Sequence, residues 1–547
     1  MRTTLLLLVG LTGCAVDGFG SEGPDGGLDE DQLAVALSGR IQAEAFRAGG
    51  EGVGYLNLNY IGVGFQALAC TPSTHYGVTG ELWSPQGRLI DHGYAGYRSG
   101  EAPIPGSVSP LRSVTDFGAQ ANDGIDDTQA FIDAIAGTAS GTLTIPDGRF
   151  ILTRKIDIKK SNLVLRGAGA GRTTLYFPKS LGDVYGIEWS PAGYSSWAFE
   201  GAFLTVKGSD AGKSLASVTA PAARGARSIK LSTTAGIAVG QMIRIVQKDA
   251  GGTLLRALHA GLYPGDTAED TGRELFRFYT RVQSISGNTV TLERPLPLQI
   301  NTAWTPQVRA AAPSVRGVGI ENLTIEFAGS TYPGHFKERG YNAIQLEGAF
   351  DSWVRNVTIL NADYGLNIRG SHFCTISDVV LDTNVNRGNY VGHHGLNSVY
   401  GTDVLFTRFD VKKKFHHDLT VDNYAFGTVF SDGKGVDLNM DHHGHGPYGS
   451  LFTRLDLGAG TRPWNSGGKG ATRMPHSAAR SAYWNITADR DIPLPPPDFG
   501  PVLTFVGVRG SVAGGAVPSD WSVERIPSAD LCQVDLYQAM RQARSLP

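Results

Sequence analysis

The 547-residue chain is long enough for several domains or one extended solenoid, and its 48 basic and 51 acidic residues leave a net charge of −3, without the basic footprint of a nucleic-acid binder. Its 72 glycines are about twice the average share. They follow no collagen period, which excludes a triple helix and favours many turns between short strands.

The chain opens as an export signal. Arg2 supplies a positive start, and Leu5 to Leu8 with Val9 form an apolar run. That run falls short of the roughly 20 apolar residues a transmembrane helix needs. Leu11-Thr12-Gly13-Cys14 then resembles the lipobox of bacterial lipoproteins. The resemblance implies a signal over residues 1–14, lipidation of Cys14 and attachment to a membrane through the lipid alone. Ala15 in place of Asp implies the outer membrane. Residues 15–31, rich in Gly, Asp and Glu, read as a flexible tether. Residues 32–112 begin with a helical pattern and continue with strand-like runs at 55–69 and 79–94, a small module without an assigned role. Of the remaining cysteines, Cys374 lies in a strand pattern and is expected in the core. Cys70 and Cys532 are then the expected disulfide partners, and no CxxC offers a cysteine zinc site.

At residue 113 the character changes. Asp126 or Asp127 can cap a helix whose apolar stripe is Ala130, Phe131, Ala134 and Ile135. Strand patterns follow at 141–146, 148–153, 156–158 and 161–169. The string Asp116-Phe117-Gly118-Ala119, Asn122-Asp123-Gly124, Asp126-Asp127-Thr128, Ala130-Phe131, then Ile145-Pro146 and Gly148, resembles the start of the pectate-lyase superfamily. The similarity is to its branch of pectate lyases and rhamnogalacturonases. It implies an all-β fold, a right-handed parallel β-helix (a solenoid) whose first coil, in 113–189, is covered by a capping helix. That superfamily holds lyases, hydrolases, epimerases and phage tailspikes, so it does not choose a reaction.

Residues 190–312 carry alternating strands around turns such as Ser286-Gly287-Asn288 and read as an inserted antiparallel β subdomain. Its Arg256, Arg273 and Arg277 read as solvated surface, with contact to an anionic sugar as the functional alternative. Coils resume over 313–495, where Asn322 and Asn356 are expected as stacked asparagines at bends. Residues 496–547, with a proline run at 493–497 across their start and a helical pattern at 529–546, read as a tail and cap.

Histidine doublets recur in those coils: His393-His394, His416-His417 and His442-His443, at steps of 23 and 26 residues, with His372 one further step before. A period of that size in a solenoid places equivalent residues one strand spacing apart, about 4.8 Å. Alternation along a strand is expected to send one member of each doublet inward and the other outward. Eight of the 13 histidines fall between 393 and 476, where even placement would put about two. Such density of titratable groups on a rigid scaffold points to a site, although a purely structural ladder explains stacking as well.

Two reactions fit the groups. A lyase needs a base near neutrality and positive charge on a uronate carboxylate. His417 is the expected base, with Lys414 and Arg454 as the positive groups and His394, His442 and His445 beside them. A hydrolase needs two carboxylates, for which Asp418, Asp437 and Asp441 are candidates. Tyr390, Tyr400, Asn439, Arg473 and His476 are expected to contact substrate. Asp437, Asp441 and His443 could hold Ca²⁺ or Zn²⁺. Gly444-His445-Gly446 is similar to the Gly-His-Gly segment of polygalacturonases. That family's Asn-x-Asp, Asp-Asp and Arg-x-Lys are missing, with Ser431-Asp432-Gly433 where the first would stand, which counts against hydrolysis. The expectation is an exported, lipid-anchored enzyme that cleaves an acidic polysaccharide by β-elimination. A glycoside hydrolase and a non-catalytic glycan-binding protein stay open as rivals, and the sequence says nothing of oligomeric state.

Overall fold

The computed structural model describes residues 70–106, 108–263, 265–465, 477–510 and 517–544. The leader with Cys14, the tether, the first part of the 32–112 module, Arg473 and His476 lie outside the described residues. The elements that follow all belong to one compact unit that begins at Thr71.

Short parallel strands wind between two long sheets as a right-handed parallel β-helix, the hand that strand–crossover–strand units take. A 15-stranded sheet runs from Leu111–Ser113 and Gly141–Ile145 to Thr504–Val508 and Ser522–Glu524. An eight-stranded sheet lies along the coils. In chain order it holds Ile156–Ile158, Leu204–Lys207, Asn342–Glu347, Tyr364–Arg369, Gly392–Val399, Phe415–Asp422, Met440–His442 and Trp464–Asn465.

Parallel register makes like residues stack. Phe406, Phe430, Phe452, Tyr483 and Phe505 occupy one inward column, with ring centroids 4.7, 5.0, 5.4 and 5.0 Å apart and nearly parallel planes. Burying each such ring contributes roughly 1.5–3 kcal/mol. On the outside, seven successive coils of the long sheet each bend through one left-handed residue. Asn322 and Asn356 open this column at φ 58° and 52°, and Asn356 Nδ2 donates to Asn322 Oδ1 at 2.9 Å. These are the asparagines expected at bends. The column continues as Asp378, Arg408, Asp432, Arg454 and Asn485, with φ between 51° and 56°. Short polar side chains tolerate that conformation best, so Arg at two steps carries local strain.

The capping helix is Thr128–Gly137, with Asp127 as its N-cap. It buries Phe131, Ala134 and Ile135 on the first coil. Phe131 meets Phe150 edge-on at 5.6 Å.

Four boundaries differ from expectation. The antiparallel sheet starts at Ser214–Ser217 rather than near 190, because Leu204–Lys207 still pairs in parallel with Ile156–Ile158 and Asn342–Glu347. Six strands then form the insertion, tied to the coils by the buried pair Arg294–Asp403 at 2.6 Å. The strand-like run at 79–94 forms turns instead. Its Leu89 and Trp83, with the flanking Tyr76 and Ala95, pack on the outside of the long sheet against Leu405, Val429 and Trp484. The coils also persist past 496, since Thr504–Val508 and Ser522–Glu524 extend the long sheet. Among the described residues of the C-terminal pattern, Leu536–Arg544 alone is helical, and it seats Leu536, Tyr537 and Met540 on the same outer face. Cys374 is buried with a free thiol, and Cys70 and Cys532 are both disulfide-bonded.

Candidate functional site

The outward face of the eight-stranded sheet is a polar column. Register aligns Thr205, Gln345, Asn367, Asn397, Thr420, Asp441 and Asn465 one per strand. Before that column the strands bend. The ladder omits Gly395 and Asp418, and a Cβ at Gly395 would lie 2.7 Å from the Asp418 carbonyl oxygen and 3.3 Å from core Leu381. Positions 395 and 396 thus both face inward, so His394 and Asn397 both face outward. The bend overrides simple alternation and brings both members of the first two doublets to the site.

His394 and His417 are register partners, and their rings stack at 4.7 Å. Only 4% and 5% of each is exposed. His394 Nδ1 lies 3.2 Å from Thr420 Oγ1. His417 Nδ1 lies 3.0 Å from Asp441 Oδ2, and His443 Nδ1 lies 3.0 Å from the same oxygen. His393 is fully buried, with Nε2 2.9 Å from His335 Nε2 and Nδ1 3.6 Å from Glu338 Oε1. Half-buried His416 is held between His335 at 4.4 Å and Tyr390 at 4.3 Å, with nearly parallel rings. Lys414 Nζ and the Arg462 guanidinium lie over the Tyr390 ring at 5.6 and 5.4 Å.

The third doublet departs from the pattern. Met440 pairs with Leu419, a step of 21 residues, whereas the doublets are 26 apart. His442 therefore pairs with Val421 and turns inward. Its ring is fully buried near Phe452 and Phe499, and Nε2 meets the Tyr483 hydroxyl at 2.9 Å. His442 is a core residue, not a catalytic one. His443 turns back and brings its ring within 4.8 Å of His417.

Charge follows from this packing. Burial first, and neighbouring imidazoles second, push His335 down to about 3 and His416 down to about 4. His393 and His394 are held well below the usual range for the same reasons. Burial also lowers His417, against the pull of Asp441. Burial opposes charge on His443 as well, but Asp441 outweighs it and raises His443 to about 9. Asp441 is in turn held far below its ordinary value by His417 and His443, although burial works against this. At neutral pH the site thus pairs a cationic His443 with an anionic Asp441 beside five neutral imidazoles. Glu338 is pushed up to about 7 by burial and is hydrogen-bonded by the Tyr332 hydroxyl.

Several expected residues have other tasks. Arg454 sits in the left-handed column of the other sheet, exposed and 3.4 Å from Asp432. It takes no part in the histidine cluster. Asp418 is buried, and burial raises it to about 6. It accepts from the backbone N–H of Phe415 and Asn439, both at 2.9 Å, and from Arg462. Asp437 accepts from Thr461 N and Oγ1 at 2.8 and 2.6 Å, closing a turn rather than facing His443. Asn439 donates to His416 O at 2.8 Å and so shapes the strand. His372 lies in a corner column with Phe350 and Thr402, under Tyr279 of the insertion at 4.6 Å, apart from the doublets. Tyr400 and His445 both face Tyr424, each at 6.1 Å, beyond the C-terminal ends of the strands that carry the doublets. Arg369 lies over Tyr400 at 5.6 Å. From His417 to the end of its strand is roughly 16 Å at about 3.3 Å per residue, so this second group can flank the same face.

His335 and Glu338 were absent from the expected set. Both come from the loop after Gly319–Phe327, where a lone histidine among Tyr332-Pro333-Gly334 carries no period to flag it.

Part of the chain is similar to known proteins. Residues 111–249 match the family described as rhamnogalacturonase A/epimerase, pectate lyase-like. No curated protein sequence matches the chain. Among solved structures, the tailspike protein gp49 from Pseudomonas phage LKA1 is similar at 15% identity and TM-score 0.46. The match covers 72% of this chain and 63% of the tailspike. An iota-carrageenase complexed to iota-carrageenan fragments is similar at 11% identity and TM-score 0.32, over 66% of this chain and 57% of its own. The hyperthermoactive exopolygalacturonase from Thermotoga maritima is similar at 10% identity and TM-score 0.31, over 75% and 89%. The winding of the chain is that of a parallel β-helix, and the family match covers its first coils and the start of the insertion.

Proposed function

We propose that this parallel β-helix protein is an enzyme that cleaves an acidic, uronate-containing polysaccharide by β-elimination. One observation carries the reading. The half-buried His416 is clamped between His335 and Tyr390, with Lys414 and Arg462 against Tyr390, where the nearby carboxylates are withheld, Asp418 among them as the buried partner of Arg462. Asp441 and Glu338 have side chains 0% and 1% exposed, and each is already engaged. A glycosidase needs two carboxylates flanking the scissile bond. An elimination needs a neutral base, positive charge for the uronate carboxylate and a proton for the leaving oxygen.

In this reading His416 removes the proton α to the carboxylate. The electron pair of that C–H bond forms the new carbon–carbon double bond, and the bond to the 4-linked oxygen breaks. Lys414 and Arg462 meet the carboxylate whose charge spreads in the enolate-like intermediate. Tyr390 is the adjacent hydroxyl that can protonate the departing sugar. His417, held by Asp441, orients the ring column rather than touching the sugar.

The test is a panel of uronate polymers incubated with the protein. Elimination yields ultraviolet-absorbing unsaturated ends in step with new reducing ends. Reducing ends without that absorbance mean hydrolysis, and binding without new ends means a lectin. Export and anchoring through Cys14 belong to the same proposal. Radiolabelled palmitate should enter the wild-type chain and not Cys14→Ser, and equal labelling of both would remove the anchor.

A further inference from the structure

We propose that His335, His393 and His417 bind one divalent transition-metal ion, with Zn²⁺ as the first choice. Three imidazoles from three separate segments present one nitrogen each, all within 4.8 Å of one another. Their ring centroids form a triangle of 4.5, 5.4 and 5.3 Å. Zinc–imidazole bonds of about 2.0–2.1 Å fit nitrogens that converge in this way. Three histidines and an open position are a donor set that suits zinc and its neighbours, not calcium.

The hydrogen-bond accounts of the rings support a cation. His335 Nε2 and His393 Nε2 face each other at 2.9 Å, where only one proton can lie between them. His417 Nε2 and His393 Nδ1 are buried with no hydrogen-bond partner among the described residues. Each such orphaned nitrogen costs about 1–3 kcal/mol. A metal would take the lone pair of His417 Nε2.

The surroundings are also those of metal ligands, whose second ring nitrogen usually points at a carboxylate. Asp441 stands 3.0 Å behind His417 Nδ1, and Glu338 stands 3.6 Å behind His393 Nδ1. The neighbouring trio His417, Asp441 and His443 is a weaker candidate. Its atoms are spent on one another, because both Nδ1 atoms already bond Asp441 Oδ2 at 3.0 Å. Three protein nitrogens leave a position for water or for a uronate carboxylate oxygen, and the second of these rests on the elimination reading.

The experiment reads metal, not activity. The full chain is stripped with chelator, exposed to Zn²⁺ or Co²⁺, dialysed and analysed for bound ion. One ion per chain is expected, with a visible Co²⁺ spectrum of a low-coordinate site. His335→Ala, at a half-buried loop position, should weaken binding about a hundredfold. His335→Cys should retain Co²⁺ and add a sulfur-to-metal absorption band. His443→Ala should keep the ion. No retained metal in folded wild-type protein would overturn the site. So would loss of metal in His443→Ala with full retention in His335→Ala. Retained metal in a protein that makes no unsaturated ends would leave the site standing and sink only the elimination.

Discussion

His443 folds back on Asp441, two residues earlier in the chain, and places Nδ1 3.0 Å from Oδ2. The same oxygen holds His417 from the coil before, so one carboxylate sets the tautomer of one imidazole and the charge of another. Asp441→Asn keeps the shape and removes the charge. His443 should then lose its proton near neutrality, and His417 its fixed orientation. Turnover is expected to fall on the order of 10–100-fold, with circular dichroism unchanged. Wild-type kcat in that variant would show that the pair is only structural.

His416 is the ring whose removal separates chemistry from architecture. It is half-buried, whereas His393, His394 and His417 are almost wholly enclosed. His416→Ala should lower kcat by about 10²–10⁴, the range for loss of a general base. KM and the melting temperature should change little. A variant that eliminates at the wild-type rate would transfer the base role elsewhere.

Arg454 and Arg462 make a paired test of location. Arg454 lies at φ 53° on the far sheet, with an exposed ion pair worth at most about 1 kcal/mol. Arg454→Gly should leave turnover within about twofold of wild type, because the site is elsewhere, and relief of the left-handed strain offsets the lost pair. Arg462→Ala removes the guanidinium from Asp418, from Phe415 O and from the Tyr390 ring. It should cut turnover by at least tenfold. Equal effects of the two substitutions would contradict this placement.

Much of the architecture was legible in the chain, because a parallel solenoid writes its register into sequence spacing. The step from His394 to His417 is the true coil length there, and Asn322 with Asn356 marks the bend column. The third doublet misled because its step of 26 exceeds the local coil of 21, so like residues are not equivalent positions. Arg454 shared a neighbourhood in sequence but not a sheet. His335 and Glu338 were illegible for the opposite reason. A loop that crosses the sheet face brings them in, and no period announces a loop.

The asparagine column invites a stability test. Asn356 combines φ 52° with a hydrogen bond from its Nδ2 to Asn322 Oδ1 at 2.9 Å. Asn356→Ala loses both the tolerated conformation and the bond, and should cost about 1–2 kcal/mol. Asn356→Gly keeps the conformation and should cost less than half as much. Denaturant melts that rank Gly below Ala would refute the strain argument.

Acid should weaken the fold through histidines that have no room for a proton. His92 is buried in the 79–94 run outside the long sheet, and both ring nitrogens lack a partner among the described residues. Burial, helped by Arg294, pushes it down to about 3 from an ordinary value of 6.5. The unfolded chain therefore takes up a proton below about 6.5 that the native state refuses until about 3. Native stability from this group is intact above 6.5 and falls as pH drops, by up to about 1.4 kcal/mol per pH unit. His442 in the core, also held near 3 by burial, acts in the same direction. His92→Leu removes one proton-binding group from the unfolded state and one orphaned ring from the interior. Its melting temperature should exceed wild type more at pH 5 than at pH 8, with a flatter dependence between them. Parallel curves for the two proteins would mean that His92 is protonated, or solvated, in the native fold.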